Sequence, residues 1–206
     1  MDGVIMFKII KRMLVLTLVA ALLYTGSVIY SKYQLRNQVL RLHVVANSNS
    51  EEDQAVKLKV RDAIISALEE DLVRVDTKEQ AQALISSKLE ELEQIANQVL
   101  ESEGVDERAT VSLTHEGFNT RDYETFSLPA GVYDSLRVTI GSGEGENWWC
   151  VVFPSLCIPA AAEEVEDVAA GAGFSDSVTG AITGKKEYRL RFFLLDCLGR
   201  LENFFA

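Results

Sequence analysis

Hydrophobic and polar positions along the chain fall into blocks of different period. The first block, Met13 to Tyr30, reads MLVLTLVAALLYTGSVIY, carries no charge, and follows Lys8, Lys11 and Arg12. At 1.5 Å per residue it would nearly span the roughly 30 Å hydrocarbon core of a bilayer, and Tyr24, Tyr30 and Tyr33 suit the interface. A basic cluster ahead of a charge-free run is an export pattern. Residues 13–33 therefore read as a signal peptide or signal anchor, and residues 1–12 as its cytoplasmic basic region. Thr25, Gly26 and Ser27 make only a weak cleavage pattern behind bulky Tyr24, which tilts the reading toward an uncleaved anchor.

Beyond it, Val39 to Ala46 alternates and is β-branched, as a strand does, and the polar run Asn47 to Ser50 ends it. Ser50 with Asp53 forms a helix-start signal. The apolar positions Val56, Val60, Ile64, Leu68 and Leu72 then follow the 3.6 period. Thr77 with Gln80 starts a second helix, striped by Ala81, Ile85, Leu92, Ala96 and Leu100 and stopped by Gly104. Strand patterns follow at Arg108 to His115, near Tyr123 to Phe126, at Ser135 to Ile140 and at Trp148 to Phe153. This order predicts an α+β domain over residues 39–158, with a small mainly antiparallel sheet and two long amphipathic helices on one face. The amino-terminal signal or transmembrane helix precedes it. Residues 159–184, rich in Ala, Gly and acids, read as a flexible insert. Residues 185–206 read as a short strand around Tyr188, Leu190 and Phe192 and a helix that closes the domain, with Cys197 on its buried side.

Charge changes the picture only when it is divided. The 206 residues carry 31 acids and 20 bases, but residues 1–41 hold six bases against Asp2 alone, leaving a net of −16 on the remaining 165. A surface of that sign repels phosphate backbones, so no nucleic-acid partner is expected, and direct adhesion to anionic lipid is disfavoured.

Candidate chemistry is sparse. The loop GSGEGEN places Glu144 and Glu146 among its glycines, lacks a following Lys and leads into a strand, so it reads as a turn and not a phosphate loop. In TGAITGKK, Thr179 and Lys186 both break the Walker pattern. Three cysteines and two distant histidines without CxxC or HxxxH spacing make no metal site, and nothing calls for a cofactor. Cys150 and Cys157 flank Pro154-Ser155; in an exported chain they are disulfide candidates, worth about 2 to 3 kcal/mol in the chain-entropy model. The alternative use is catalytic, with Cys150 paired to His43 or His115 and oriented by Asn147. That would make the chain a Cys-dependent extracytoplasmic hydrolase acting on peptidoglycan or peptide, although Cys150 lies in an apolar run where burial raises a thiol pKa. GxSxG, HExxH and aspartic-protease motifs are missing from the sequence. Trp148-Trp149 stands out. Neighbours on a strand point to opposite faces, so one indole can fill the core while the other is presented outward beside Asn147 as a binding anchor; the alternative of equal weight is that a bend or a covering helix buries both.

The two blocks RLHVVANSNSEEDQAVKLKVRDAI (41–64) and LPAGVYDSLRVTIGSGEGENWWCVVFPSLC (128–157) resemble the stage II sporulation protein R family of endospore-forming bacteria. The chain departs from the family pattern at Ser155, where a second proline usually follows Pro154, and at Ile158, where an aromatic is usual. The resemblance implies a signalling protein without enzymatic activity, made in the forespore and exported to the space between the two sporulating cells. Its implied partner is a membrane-embedded aspartic protease of the mother cell, which processes the precursor of sigma factor E. The residues expected to meet that receptor are Asn147, Trp148, Trp149 and Pro154, with Cys150 and Cys157 holding their loop. Asn47 and Asn49 come second, because turn and cap roles account for them.

Overall fold

The computed structural model describes residues 2–123, 126–154, 162–184 and 189–205. Helix α1 (Asp2–Gln38) changes character along its length. Its residues 4–26 are exposed throughout, whereas Val28, Ser31 and Leu35 are buried against the rest of the protein. The helix is long and apolar enough to cross a membrane.

Strand β1 (Leu40–Val45) leads into α2 (Glu51–Leu72) and α3 (Lys78–Ser102). Both caps form as the sequence predicts: the Ser50 hydroxyl accepts from the Asp53 N–H at 3.1 Å, and that of Thr77 from the Gln80 N–H at 3.3 Å. Gln80 answers by accepting from the Asp76 N–H. Gly104, at φ 71°, ends α3 in the left-handed conformation that glycine adopts without steric penalty.

Strands β2 (Ala109–Phe118), β3 (Arg121–Asp122), β4 (Ser127–Leu128), β5 (Gly131–Ile140) and β6 (Asn147–Phe153) follow. The main sheet has the order β2-β5-β1-β6; β1 runs parallel to β5, and the other two pairings are antiparallel. The strand expected near Tyr123 to Phe126 is replaced by the small β3–β4 pair on either side of it. Leu42, Val44, Leu136, Val138, Cys150 and Val152 face α2 and α3 and form the larger core with Val60, Ile64, Ile85 and Leu92. The α+β class and the two helices on one face are as expected.

Two readings of the carboxy-terminal third are corrected. The supposed flexible insert contains α4 (Ala162–Gly171) and α5 (Asp176–Ile182), which bury Val165, Ala169, Val178 and Ile182, with Phe174 from the connection between them, in a second core with Leu35, Phe118 and Val151. Ala and Gly gave the segment a linker's composition, but the pairs Val165/Ala169 and Val178/Ile182 have the i, i+4 spacing of one helix face. The expected strand at Leu190 and Phe192 is the first turn of α6 (Arg189–Phe205), while Tyr188 lies outside the described residues. Cys197 is exposed. The helix instead docks through Leu195 and Gly199, because a side chain at 199 would overlap the Ala130 carbonyl.

Candidate functional site at the open end of strand β6

Alternation along β1 sends Leu40, Leu42 and Val44 toward α2 and α3 and leaves Arg41 and His43 on the other face. In the antiparallel register with β6, His43 lies opposite Trp149 and Val44 opposite Trp148. The two tryptophans therefore take opposite faces, but neither is wholly enclosed.

On the helix side, Trp148 is 36% exposed beneath the Arg61 guanidinium, which sits 4.2 Å from its ring centroid. A cation over an indole face is attracted by the ring quadrupole, by about 0.5 to 1 kcal/mol at an exposed site. The adjoining groove, about 410 Å³, runs between α2 and β6 and is lined by Arg61, Asp62, Ile65, Ser66 and Glu69 with Trp148 and Cys150.

On the opposite side, the half-buried Trp149 stacks on His43 at 3.8 Å and meets Phe118 edge-on at 4.7 Å, and Arg121 lies 5.3 Å from its ring. His43 is 4% exposed, and both its nitrogens are engaged: Nδ1 lies 3.1 Å from Glu116 Oε2 and Nε2 lies 2.7 Å from Asn147 Oδ1. A ring donating to both oxygens is doubly protonated; turning the Asn147 amide would suit the neutral ring. Glu116 also accepts from Thr114 at 2.9 Å and from Arg137 at 3.1 Å. Burial, the largest single influence, would raise its carboxyl, but the hydrogen bond and charge of His43 together with the Thr114 hydrogen bond outweigh that and hold it at about 2. Deeper in, Arg41 is fully buried, donating to the Tyr123 hydroxyl at 2.8 Å and lying 4.0 Å from the Phe118 ring centroid, with its Nε and Nη1 unpartnered. Burial lowers its pKa.

The other expected site residues are scattered. Asn147 is exposed at the start of β6, whereas Pro154 is buried just past its far end, six residue steps from Trp148 and so roughly 20 Å along the strand. Cys150 lies between them on the helix side; its sulfur is in a disulfide, and Cys157 lies outside the described residues. Asn47 and Asn49 staple the glycine loop to the β1–α2 turn, accepting from the Ser142 and Glu146 N–H groups at 2.9 and 2.7 Å. Gly141, at φ 55°, has no room for a side chain against Asn47. Lys57 completes the staple by donating to the Glu146 carbonyl at 3.0 Å. No group of acids, histidines and cysteines suited to a metal occurs among the described residues.

Sequence reasoning missed the Glu116–His43–Asn147 chain and the cations over the indoles. Arg41 and His43 at alternate positions of an otherwise apolar strand were a readable signal that the second face is polar. Their partners, 73 and 104 residues away in the case of His43, were not readable.

Fold and site together define a class: an α+β domain carried on an apolar amino-terminal helix and presenting an aromatic strand end flanked by cations. Within that class, the chain belongs to the stage II sporulation protein R family, whose model matches residues 36–163. Stage II sporulation protein R of Bacillus subtilis (strain 168) is 35% identical over 156 residues, which cover 73% of this chain and 70% of that protein. No solved structure matches. Membership implies a role in sporulation. The family model takes in only the last three residues of α1, the whole sheet and every expected site residue.

Proposed function

We propose that the protein is an exported sporulation signal that activates a membrane-embedded aspartic protease of the mother cell, leading to processing of the sigma factor E precursor. One observation carries the reading: within a member of this family, the open end of β6 presents Asn147 and Trp148 to solvent, with Arg61 over the indole and a groove beside it. Aromatic anchors next to arginine dominate binding hot spots. The signal acts by binding the active receptor state more tightly than the inactive one, since a ligand shifts an equilibrium only by its differential affinity. The apolar half of α1 supports export from the forespore, either as an anchor or as a cleaved signal. The alternative, a Cys-dependent hydrolase, is disfavoured because the Cys150 sulfur is in a disulfide and His43 lies on the opposite face of the sheet.

Co-expression with receptor and precursor tests the proposal. Trp148→Ala and Trp149→Ala proteins that still fold and export are expected to lose precursor cleavage. Undiminished cleavage with both would remove these residues from the receptor surface.

A further inference from the structure

On α6, the exposed residues Leu190, Phe193, Cys197, Leu201 and Phe204 follow one another at steps of three, four, four and three, which places them on one helix face. The helix is held to the domain from the opposite side by Leu195, Gly199 and the Asn203 amide, which donates to the Phe118 carbonyl at 2.8 Å. An ordinary surface helix turns its apolar face inward; α6 does so with Leu195, Phe192 and Leu198 against Val28 and Ala181, and carries a second apolar stripe outward.

Three observations say what covers this face. First, α6 runs parallel to α1: Arg191 meets Ser27 and Ser31, Lys32 meets Leu198 and Glu202, and Arg36 meets Glu202. The stripe therefore extends about 21 Å along the direction of α1. If α1 anchors the chain, lipid reaches only the end of the stripe near residues 27–31, and the rest needs a protein partner. Second, the stripe is symmetric about Cys197, a free thiol, with apolar residues four and seven positions to either side. Third, the acids of α6 are turned away from it, Asp196 to Thr120, the Ala130 N–H and Arg200, and Glu202 to Lys32 and Arg36 of α1, which leaves Arg189 and Arg200 as the exposed charges beside the stripe. Elsewhere the domain is strongly acidic, so here two copies meet without setting acid against acid.

We propose that this face of α6 is a homodimer interface, with the two helices parallel about a two-fold axis along α1. Copies anchored in one membrane share their orientation, and the parallel two-fold keeps it. Each stripe residue then meets its own counterpart, Cys197 facing Cys197 of the second copy. The parallel sense rests on the reading of α1 as an uncleaved anchor. The pairing does not depend on the receptor, so it is tested without measuring precursor cleavage.

The test is a short bismaleimide applied to the full-length chain in membranes of an expression host, with retention in the membrane fraction scored on the same gel. The dimer is expected to cross-link through Cys197 and to lose the product in Cys197→Ser. In that Cys197→Ser background, Phe193→Cys is expected to cross-link to itself. With Cys197 retained, Phe193→Glu is expected to lower the yield about tenfold by placing a charge in the apolar contact, while circular dichroism reports an intact fold. Any of four results overturns the proposal: a Cys197 that reacts with a monofunctional maleimide yet never cross-links; Phe193→Cys and Leu201→Cys chains, co-expressed in the Cys197→Ser background, that pair with each other and not with themselves, which means antiparallel helices or a released chain; exclusive capture of a different protein; or a thiol shielded until detergent removes the lipid.

Discussion

The two faces of the main sheet are built from alternate residues of the same strands and are governed by different physics. Toward α2 and α3, Leu42, Val44, Leu136 and Val138 pack into the apolar core with Val60, Ile64, Ile85 and Leu92. One residue along in each case, His43 and Arg137 join Glu116 in a charged network, and Arg41 is buried against aromatic rings. The first face is held by apolar area and close packing, which tolerate little change of volume. The second is held by a few directed bonds, and it ends in the aromatic strand end that offers itself to a partner. A single period-two pattern thus separates the part that fixes the fold from the part that carries the site.

The largest expected effect tests the first face. Leu136 is fully buried, and Leu136→Ala should lower the unfolding free energy by about 3 kcal/mol through lost transfer energy and a residual cavity. Urea denaturation measures it; a loss below about 1 kcal/mol would mean the face is not close-packed.

Glu116→Gln probes the second face and should cost on the order of 2 kcal/mol at neutral pH. Because the folded carboxyl is held at about 2, down from an ordinary 4.5, its contribution is complete above about 4.5 and is lost as the pH falls toward 2. The stability gap between the native chain and the variant should therefore close over that window. A gap independent of pH would show that the ionised carboxylate contributes nothing through His43.

Arg41→Met should have the smallest effect, within about 1 kcal/mol or slightly stabilising, because a buried guanidinium with unpartnered N–H groups gains little over an apolar side chain of similar length. A loss of several kcal/mol would make Arg41 part of the bonded network.

Much of the first face could be read in the sequence. The stripes of α2 and α3, the caps at Ser50 and Thr77 and the strand alternation are local signals, and each came out as an element in its expected place. The carboxy-terminal third resisted because small residues give low contrast: Val165, Ala169 and Val178 bury too little side chain to mark a helix by composition. The site was half legible. Adjacent tryptophans on a strand must point to opposite faces, but the pairing of His43 with Glu116 depends on β5 lying between β1 and β2, a topological fact with no short-range signature. Pro154 shared a motif with Trp148 and still ended at the other end of the strand.

Contact between the receptor and the Trp148 end of β6 is tested most directly by photo-cross-linking from position 148, with exposed Arg74, in the turn between α2 and α3 at the opposite end of the sheet, as the control position, in cells that also make the membrane-embedded protease and its precursor substrate. An adduct to the protease is expected from position 148 and none from position 74. Adducts from both positions alike, or from position 74 alone, would contradict receptor contact at that end.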